Sequence, residues 1–214
     1  MKVILIGPPG VGKGTQGVLL SEALQLPVIS TGQVIRDAIH NESEGSKALK
    51  DIVARGELVP DDLMVDILDQ RMASDDCLNG YILDGFPRTL NQAQTLQNRG
   101  VALDYVVEFV LNEEAIINRL SGRLYHPASG RIYHKDFNPP KSAGLDDITQ
   151  EALVVREDDK PESIAKRLTL YKNETSPLIN FYRQLSEEKK IKYICLDASG
   201  AVDNIQEKLL LAMR

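Results

Sequence analysis

The chain has 214 residues, of which 43% are apolar and 26% are charged, and its net charge is −6. This length suits one domain with a substantial core and leaves room for an insertion. The acidic balance argues against a broad nucleic-acid-binding surface, because such a surface needs a basic excess. An anionic ligand would therefore have to be held by local clusters of Arg and Lys.

The sequence also bears on where the chain works. Its first residues are too short an apolar run, and too punctuated by Gly and Pro, for a signal peptide. No run approaches the ~20 apolar residues of a membrane span. The two cysteines, Cys77 and Cys195, lie far apart without metal-ligand spacing, so we interpret both as reduced, buried thiols. We therefore expect a cytoplasmic protein that does not associate with membranes.

In chain order, five short segments have the apolar, β-branched composition of buried strands: residues 2–6, 28–30, 80–85, 104–111 and 192–196. Helical patterns separate them, with helices predicted at 13–24, from Thr31 (a candidate N-cap) towards His40, at 46–54 and after Pro60. Strands that alternate with helices need crossover connections. The sequence therefore predicts an α/β fold with a parallel sheet covered on both faces.

One segment breaks this alternation. Residues 122–159 are rich in Gly, Pro, Ser, His and Asp, and two short alternating runs flank a predicted hairpin turn at 127–130. An irregular insertion of this length in a compact domain is usually functional or disordered, and its Arg and Tyr residues favour function. After it, Pro161 opens a long helical pattern that Pro177 should kink.

A Gly-rich loop follows the first predicted strand and opens the first predicted helix. It reads Gly-Pro-Pro-Gly-Val-Gly-Lys-Gly-Thr over residues 7–15. Glycines allow several backbone N–H groups to point at one anion, and the helix N-terminus adds partial positive charge. Lys13 can reach the β- and γ-phosphates of a nucleotide. Gly14 stands where most such loops have Ser or Thr, so the hydroxyl that usually binds Mg²⁺ is shifted to Thr15.

Three further motifs accompany this loop: Ser30-Thr31-Gly32 with Arg36, then Leu83 to Thr89 with Gln92, and Gly122-Arg123 with Arg156-x-Asp158-Asp159. Together with the loop they resemble the adenylate kinases of the long-lid type, within the nucleoside monophosphate kinase family. The resemblance runs along essentially the whole chain. It implies reversible transfer of the terminal phosphoryl group from ATP to AMP to give two ADP, in adenine nucleotide homeostasis, by a monomer.

The resemblance also implies a domain organisation. It predicts a P-loop three-layer fold whose central parallel sheet has five strands, formed by residues 1–29, 60–121 and 160–214. Residues 30–59 would form a helical AMP-binding subdomain. Residues 122–159 would form a small β-rich lid that closes over ATP and excludes water, because transfer competes with hydrolysis.

The acceptor site is suggested by chemistry and completed by the resemblance. The dianionic phosphate of AMP suits planar bidentate donors, and Arg36 and Arg88 lie on separate segments that could converge on it. Arg88 follows a strand at its carboxyl end, where ligands bind in open α/β sheets. By resemblance, Thr31 and Gln92 contact the adenine, and the remaining AMP-binding residues are Glu57, Leu58, Val59, Gly85, Phe86, Pro87, Arg156 and Arg167.

The resemblance assigns the donor side and the chemistry as well. Arg123, Arg156 and Arg167 would neutralise the transferring phosphate with Lys13, Asp84 would orient water around Mg²⁺, and Asp158 and Asp159 would lock the closed lid. No strong general base is expected, since phosphoryl transfer depends on positioning and charge neutralisation. The ATP-binding residues would be Gly10, Val11, Gly12, Lys13, Gly14, Thr15, Arg119, Arg123, Ile132, Tyr133 and Gly200. Many relatives have a longer residue at position 200, which leaves the donor base open.

Some lids of this family hold Zn²⁺ with four cysteines, or three and an Asp. The matching positions here are His126, Ser129, Asp146 and Thr149. Ser and Thr are poor zinc ligands, and structural zinc needs four good N or S donors. We therefore expect no structural zinc and interpret these four residues as a hydrogen-bond network, with Mg²⁺ held only through phosphates and waters.

Two alternatives stay open at this point. The same chemistry could act on another pair of nucleotides, as in a UMP/CMP kinase or a GTP-using AMP kinase, although Thr31 and Gln92 favour AMP. A nucleotide-dependent switch is the other class, because Asp197-x-x-Gly200 formally resembles a switch motif. It follows the last predicted strand, however, and the chain has no Asn-Lys-x-Asp guanine signature.

Overall fold

A five-stranded parallel sheet forms the centre of the computed structural model, which describes residues 1–40, 49–52, 55, 57 and 59–214, without the side chains of 36–38 and 40. The strands are β1 (Lys2–Ile6), β2 (Val28–Ser30), β3 (Tyr81–Asp84), β4 (Tyr105–Val110) and β7 (Lys192–Asp197). Their order is β2-β3-β1-β4-β7, and every pairing is parallel. The predicted strands and sheet are confirmed.

Helices cover both faces of this sheet, as predicted. They are α1 (Lys13–Leu24), α2 (Thr31–His40), α3 (Asp61–Met72), α4 (Leu90–Asn98), α5 (Glu113–Ser121), α6 (Pro161–Leu170), α7 (Pro177–Glu187) and α8 (Val202–Ala212). Single 3₁₀ turns occur at Asp75–Cys77 and Glu157–Asp159.

Successive residues of a strand face opposite sides of a sheet, and β1 shows this directly. Ile4 and Ile6 belong to one buried apolar cluster, whereas Val3 and Leu5 belong to a second cluster on the other face. Burial on both faces is typical of parallel sheets. Strand β1 is the central strand, with β3 on one side and β4 on the other. The connections leaving β1 and β3 therefore run towards opposite edges of the sheet, and a ligand crevice is expected there, at the carboxyl ends of the strands.

The long C-terminal helical pattern is interrupted where proline predicts it. Helix α6 ends at Leu170, a π-helical segment covers Tyr171–Thr175, and α7 begins with Pro177 at its first turn. Proline cannot donate the backbone hydrogen bond and its ring clashes with the preceding turn, so the wider segment accommodates it.

The predicted hairpin is present in the insertion. Strands β5 (Arg123–Tyr125) and β6 (Ile132–His134) pair antiparallel, with Leu124 opposite Tyr133. Val154 bridges back to Tyr125 and ties the end of the insertion to the hairpin. The turn contains Gly130 at φ +75°, a conformation that glycine adopts without strain.

The two cysteines differ in their burial. Cys77 is buried, but Cys195 is exposed, because it lies on β7 at the edge of the sheet; the prediction of two buried thiols is therefore wrong for Cys195. Of the helix predicted at 46–54, residues 49–52 are helical and the rest lie outside the described residues. Among the helices that the structure describes, none combines the length and apolar character needed to span a membrane.

Candidate active site

The Gly-rich loop turns at the carboxyl end of β1 and leads into helix α1. Gly12 has φ +108° and Gly10 has φ +78°. A side chain at Gly10 would also collide with Leu120, whose Cγ lies 2.6 Å from the position a Cβ would take. The loop therefore requires glycine both for its backbone conformation and for its close contact with helix α5. Lys13 donates from Nζ to the carbonyls of Gly7 at 2.6 Å and Pro8 at 2.9 Å.

Positive charge is concentrated around Lys13. Burial at the floor of the cleft is the main reason why the pKa of Lys13 is lowered to about 8; Asp84 opposes this shift, and the neighbouring Arg88, Arg167 and Arg123 add to it. Burial raises the pKa of Asp84, while Lys13 and Arg88 act to lower it. Four cations held this close to one another favour a ligand with several negative charges.

Thr31, Gly85 and Arg88 form one connected group at the ends of β2 and β3. Arg88 donates from Nε to the carbonyl of Gly85 at 2.7 Å and from Nη2 to Thr31 Oγ1 at 3.1 Å. Thr31, which is 2% exposed, donates in turn to the Gly85 carbonyl at 3.1 Å. Thr175 donates to the Arg88 carbonyl at 2.8 Å. These bonds hold the guanidinium in one orientation at the edge of the cleft.

The side-chain amide of Gln92 is held at both ends. Its Nε2 donates to Asp61 Oδ1 at 2.6 Å, and its Oε1 accepts the backbone N–H of Arg88 at 2.7 Å. Gln92 lies in the first turn of α4. Thr89 is the N-cap of this helix, and its Oγ1 accepts the backbone N–H of Gln92 at 3.2 Å. This side chain is 2% exposed but lines the cleft.

Asp159 joins the two sides of the insertion. Arg123 donates to its carboxylate from Nε at 2.6 Å and from Nη2 at 2.5 Å, and Arg167 donates from Nη1 at 3.0 Å. Arg167 also contacts Asp158, through its carbonyl at 2.8 Å and its carboxylate at 3.0 Å. Because Asp159 is buried, these three charge-assisted hydrogen bonds fix both guanidinium groups firmly. Arg156 lies over the ring of Tyr125, 4.2 Å from its centre.

Arg119 connects the Gly-rich loop to the segment after β7. It donates from Nη1 to the Val11 carbonyl at 3.0 Å and from Nη2 to the Ala198 carbonyl at 2.8 Å. Its planar guanidinium therefore forms one wall of the cleft, beside Gly200 and Ile132. Tyr133 also lines this region, but its hydroxyl donates to Asp146 inside the insertion at 3.0 Å.

The structure brings the four residues at the zinc-ligand positions together. His126 Nδ1 lies 2.7 Å from Ser129 Oγ, and His126 Nε2 lies 3.3 Å from Thr149 Oγ1, which donates to Asp146 at 3.1 Å. Arg131 adds two contacts to Asp146, at 2.7 and 2.6 Å, which hold the pKa of that carboxyl far below its usual range. Within the described part of the chain, no group of three or more His, Cys, Asp or Glu side chains is arranged to hold a metal ion.

One cleft of about 1740 Å³ connects these regions. Arg36 is predicted to bind phosphate, but its side chain and the whole of Leu58 lie outside the described residues. Asp159 and the four zinc-position residues lie behind the cleft wall. The other predicted residues line the cleft: Gly10, Val11, Gly12, Lys13, Gly14, Thr15, Thr31, Glu57, Val59, Asp84, Gly85, Phe86, Pro87, Arg88, Gln92, Arg119, Arg123, Ile132, Tyr133, Arg156, Asp158, Arg167 and Gly200.

Sequence reasoning missed several residues that support this site. Asp61 follows Pro60 at a predicted helix start, where Asp is common because it interacts favourably with the helix N-terminus, so its contact with Gln92 has no separate signal in the sequence. Arg131 and Glu151 join the network in the insertion, where Glu151 lies 2.7 Å from His126 Nε2. Their spacing carries no recognisable signal, so only the folded chain identifies them.

A comparison with protein-family models identifies the family of the chain. The adenylate kinase model matches residues 5–187, from the first strand to the end of helix α7, and so includes the Gly-rich loop, both arginine-bearing sides of the cleft and the insertion. The match covers most of the chain, and the phosphate loop, the clustered cations and the five-stranded parallel sheet all agree with it. The chain therefore belongs to the adenylate kinase family of phosphotransferases.

Proposed function

We propose that the chain transfers the terminal phosphoryl group of ATP to AMP, giving two ADP, and that the reaction is reversible. The observation that carries this proposal is a cluster of four cations at the carboxyl edge of the sheet: Lys13, Arg88, Arg123 and Arg167. The three arginines lie close enough to Lys13 for each to lower its pKa. A single cation would suit an ATP-binding module. Four of them, in one cleft of about 1740 Å³, suit a phosphoryl group in transfer between two nucleotides.

The acceptor would lie on the side of Thr31, Val59 and Gln92. Arg88 keeps donor groups available after its bonds to Gly85 and Thr31, because a guanidinium has five N–H groups. It would hold the acceptor phosphate together with Arg36, Arg156 and Arg167. Leu58 and Glu57 would complete the pocket on the same side.

The donor would lie between the Gly-rich loop and Arg119. Backbone N–H groups of residues 10–15 would surround its phosphates, and Lys13 would exchange its present bonds to the Gly7 and Pro8 carbonyls for phosphate oxygens. Arg119, Ile132, Tyr133 and the backbone at Gly200 would contact the base. A backbone contact at Gly200 selects less strictly than a side chain, so the donor base is the part of the proposal most open to experiment.

Magnesium fits the chemistry of this cleft. The Asp84 carboxylate lies at the end of β3, 3.4 Å from the position of a Cβ at Gly14, and Thr15 lines the cleft beside it. Asp84 would hold the ion through ordered water. The ion would supply neutralisation of the phosphate charge in transfer. The proposal includes no structural zinc, because Ser129 and Thr149 are poor zinc ligands and their hydroxyls already serve a hydrogen-bond network.

We further propose that residues 122–159 act as a lid on a core formed by 1–29, 60–121 and 160–214, with residues 30–59 as the acceptor subdomain. Asp159 supports this role, since it couples Arg123 at the start of the lid to Arg167 on helix α6. Closure would place the arginines around the transferring group and exclude water. A cytoplasmic location and a monomeric state are part of the same proposal, and analytical ultracentrifugation and cell fractionation would test them.

A coupled assay of ADP formation tests the function directly. ATP or GTP would be offered as donor with AMP, UMP, CMP or GMP as acceptor, in Mg²⁺ and again with excess EDTA. We expect the highest kcat/KM with ATP and AMP, and loss of turnover with EDTA. Faster turnover of UMP or CMP would replace the acceptor assignment, and tight GTP binding without any phosphotransfer would favour a switch protein instead.

A further inference from the structure

Asp61 receives hydrogen bonds from three side chains of one short segment. Thr89 Oγ1 and Asn91 Nδ2 each donate to its Oδ2 at 2.9 Å, and Gln92 Nε2 donates to its Oδ1 at 2.6 Å. Asp61 begins helix α3, whereas its donors lie at the start of helix α4, so these bonds join the first turns of two helices through residues 28 to 31 apart in the chain. An ionised carboxylate can only accept hydrogen bonds.

The opposite end of the Gln92 amide faces a group that can only donate. Its Oε1 accepts the backbone N–H of Arg88 at 2.7 Å. If the amide turned by 180°, its oxygen would face the Asp61 carboxylate and its nitrogen would face the Arg88 N–H. Both hydrogen bonds would be lost and two repulsive contacts would replace them, so the order of nitrogen and oxygen is set by the surroundings.

Each end of this amide can form one more hydrogen bond, Nε2 as donor and Oε1 as acceptor. Nε2 carries two hydrogens and uses one on Asp61, while Oε1 has two lone pairs and uses one on Arg88. Gln92 lines the cleft, as do Thr31 and Val59, the other residues assigned to the acceptor side. A ligand there meets one donor and one acceptor in a set order.

We propose that Asp61 is a positioning residue that fixes the polarity of the Gln92 amide and thereby restricts the acceptor to 6-aminopurine nucleotides. This inference rests on the proposed function. Adenine offers an N–H at its exocyclic 6-amino group and an acceptor at N1, which complement the ordered pair on Gln92. Hypoxanthine and guanine carry a 6-oxo acceptor and an N1–H donor, the reverse order. A freely turning glutamine could form both hydrogen bonds with adenine or with a 6-oxopurine, whereas the clamped glutamine can form both only with adenine.

The substitution Asp61→Asn tests this directly. A carboxamide can donate as well as accept, so the Gln92 amide could turn and still find a partner on that side. We expect the ratio of kcat/KM for AMP to kcat/KM for IMP to fall by about 10- to 100-fold, the range for losing one hydrogen bond to a charged group. Asn91→Ala is the matched control, since it removes a bond to the same carboxylate without touching Gln92, and its ratio should match that of the wild type.

The outcomes separate this inference from the proposed function. A wild-type enzyme that fails to phosphorylate AMP would overturn both. If the wild type uses AMP but does not prefer it to IMP, or if Asp61→Asn lowers both kcat/KM values equally, Asp61 has only a structural role and this inference alone is wrong. Should Asp61→Asn not fold, Asp61→Ala removes the acceptor that faces Gln92 Nε2, and an unchanged ratio in that variant would count against the inference in the same way.

Discussion

Lys13 offers a test in which activity and stability should move in different ways. Replacing it by Met removes the charge that the proposed reaction needs at the donor phosphates. Losing one positioned charge at a transferring group typically costs about 3–4 kcal/mol, so kcat should fall by about 10²- to 10³-fold. The same substitution removes a cation that the folded chain holds at a cost, because Lys13 is buried and also lies near Arg88, Arg167 and Arg123.

The size of that cost follows from the pKa. Burial, reinforced by the arginines, lowers the pKa of Lys13 from 10.5 to about 8. Below pH 8 the ammonium is charged in both the folded and the unfolded chain, and the depressed pKa corresponds to about 3 kcal/mol lost from the free energy of unfolding. As the pH rises from 8 to 10.5 the folded chain releases this proton first, so the loss disappears. Between pH 7 and pH 10 the wild type should therefore gain about 2–3 kcal/mol relative to Lys13→Met.

Urea denaturation of both proteins at pH 7, 8, 9 and 10, followed by circular dichroism, measures this difference. Lys208→Met is the control, since Lys208 is exposed on helix α8 and its removal should leave the pH dependence unchanged. A stability difference between wild type and Lys13→Met that stays constant over this range would refute the electrostatic reasoning. Near-normal turnover in Lys13→Met would refute the assigned role of the lysine.

Three further substitutions follow from the contacts around the cleft. Arg88→Ala should lower kcat by about 10²- to 10³-fold with an unchanged circular dichroism spectrum, and activity close to wild type would exclude its role at the phosphate. Gly122→Ala should cost about 1–3 kcal/mol in thermal unfolding, because a Cβ would lie 2.3 Å from His134 Nε2; an unchanged Tm would mean that the ring moves freely. Asp159→Asn should lower the free energy of unfolding in urea by about 3–5 kcal/mol, since it leaves two guanidinium groups without their buried partner, and a loss below about 1 kcal/mol would contradict that.

The central sheet and the phosphate loop could be predicted because their signals are local. A buried strand is a run of apolar, β-branched residues, and the loop at 7–15 needs glycines where the backbone turns, as the φ of +108° at Gly12 shows. The interruption of the helix before Pro177 is also a local effect, since the proline ring clashes with the turn that precedes it. Such features depend on near neighbours in the chain.

The family motifs extended this to the site, but only as far as naming its residues. They assigned Gln92 to the acceptor base and Asp159 to the lid, and they left open which groups would hold either side chain. The exposure of Cys195 was missed for a related reason: an apolar strand reads as buried, and nothing within 192–196 indicates that it lies at the edge of the sheet.

By itself, then, the sequence determined the layered α/β architecture, the phosphate-binding loop and the chemistry of the cleft, because residue type and short-range spacing specify them. Only the tertiary structure decided the partners. It placed Asp61 on the Gln92 amide across 31 residues, Arg123 on Asp159 across 36, and Arg131 on Asp146 across 15. Each pairing depends on how separate elements pack, and no spacing in the chain specifies that distance or orientation. The phosphate loop depends on residues that are neighbours in the chain, whereas the polarity of one clamped amide depends on the packing of two separate helices.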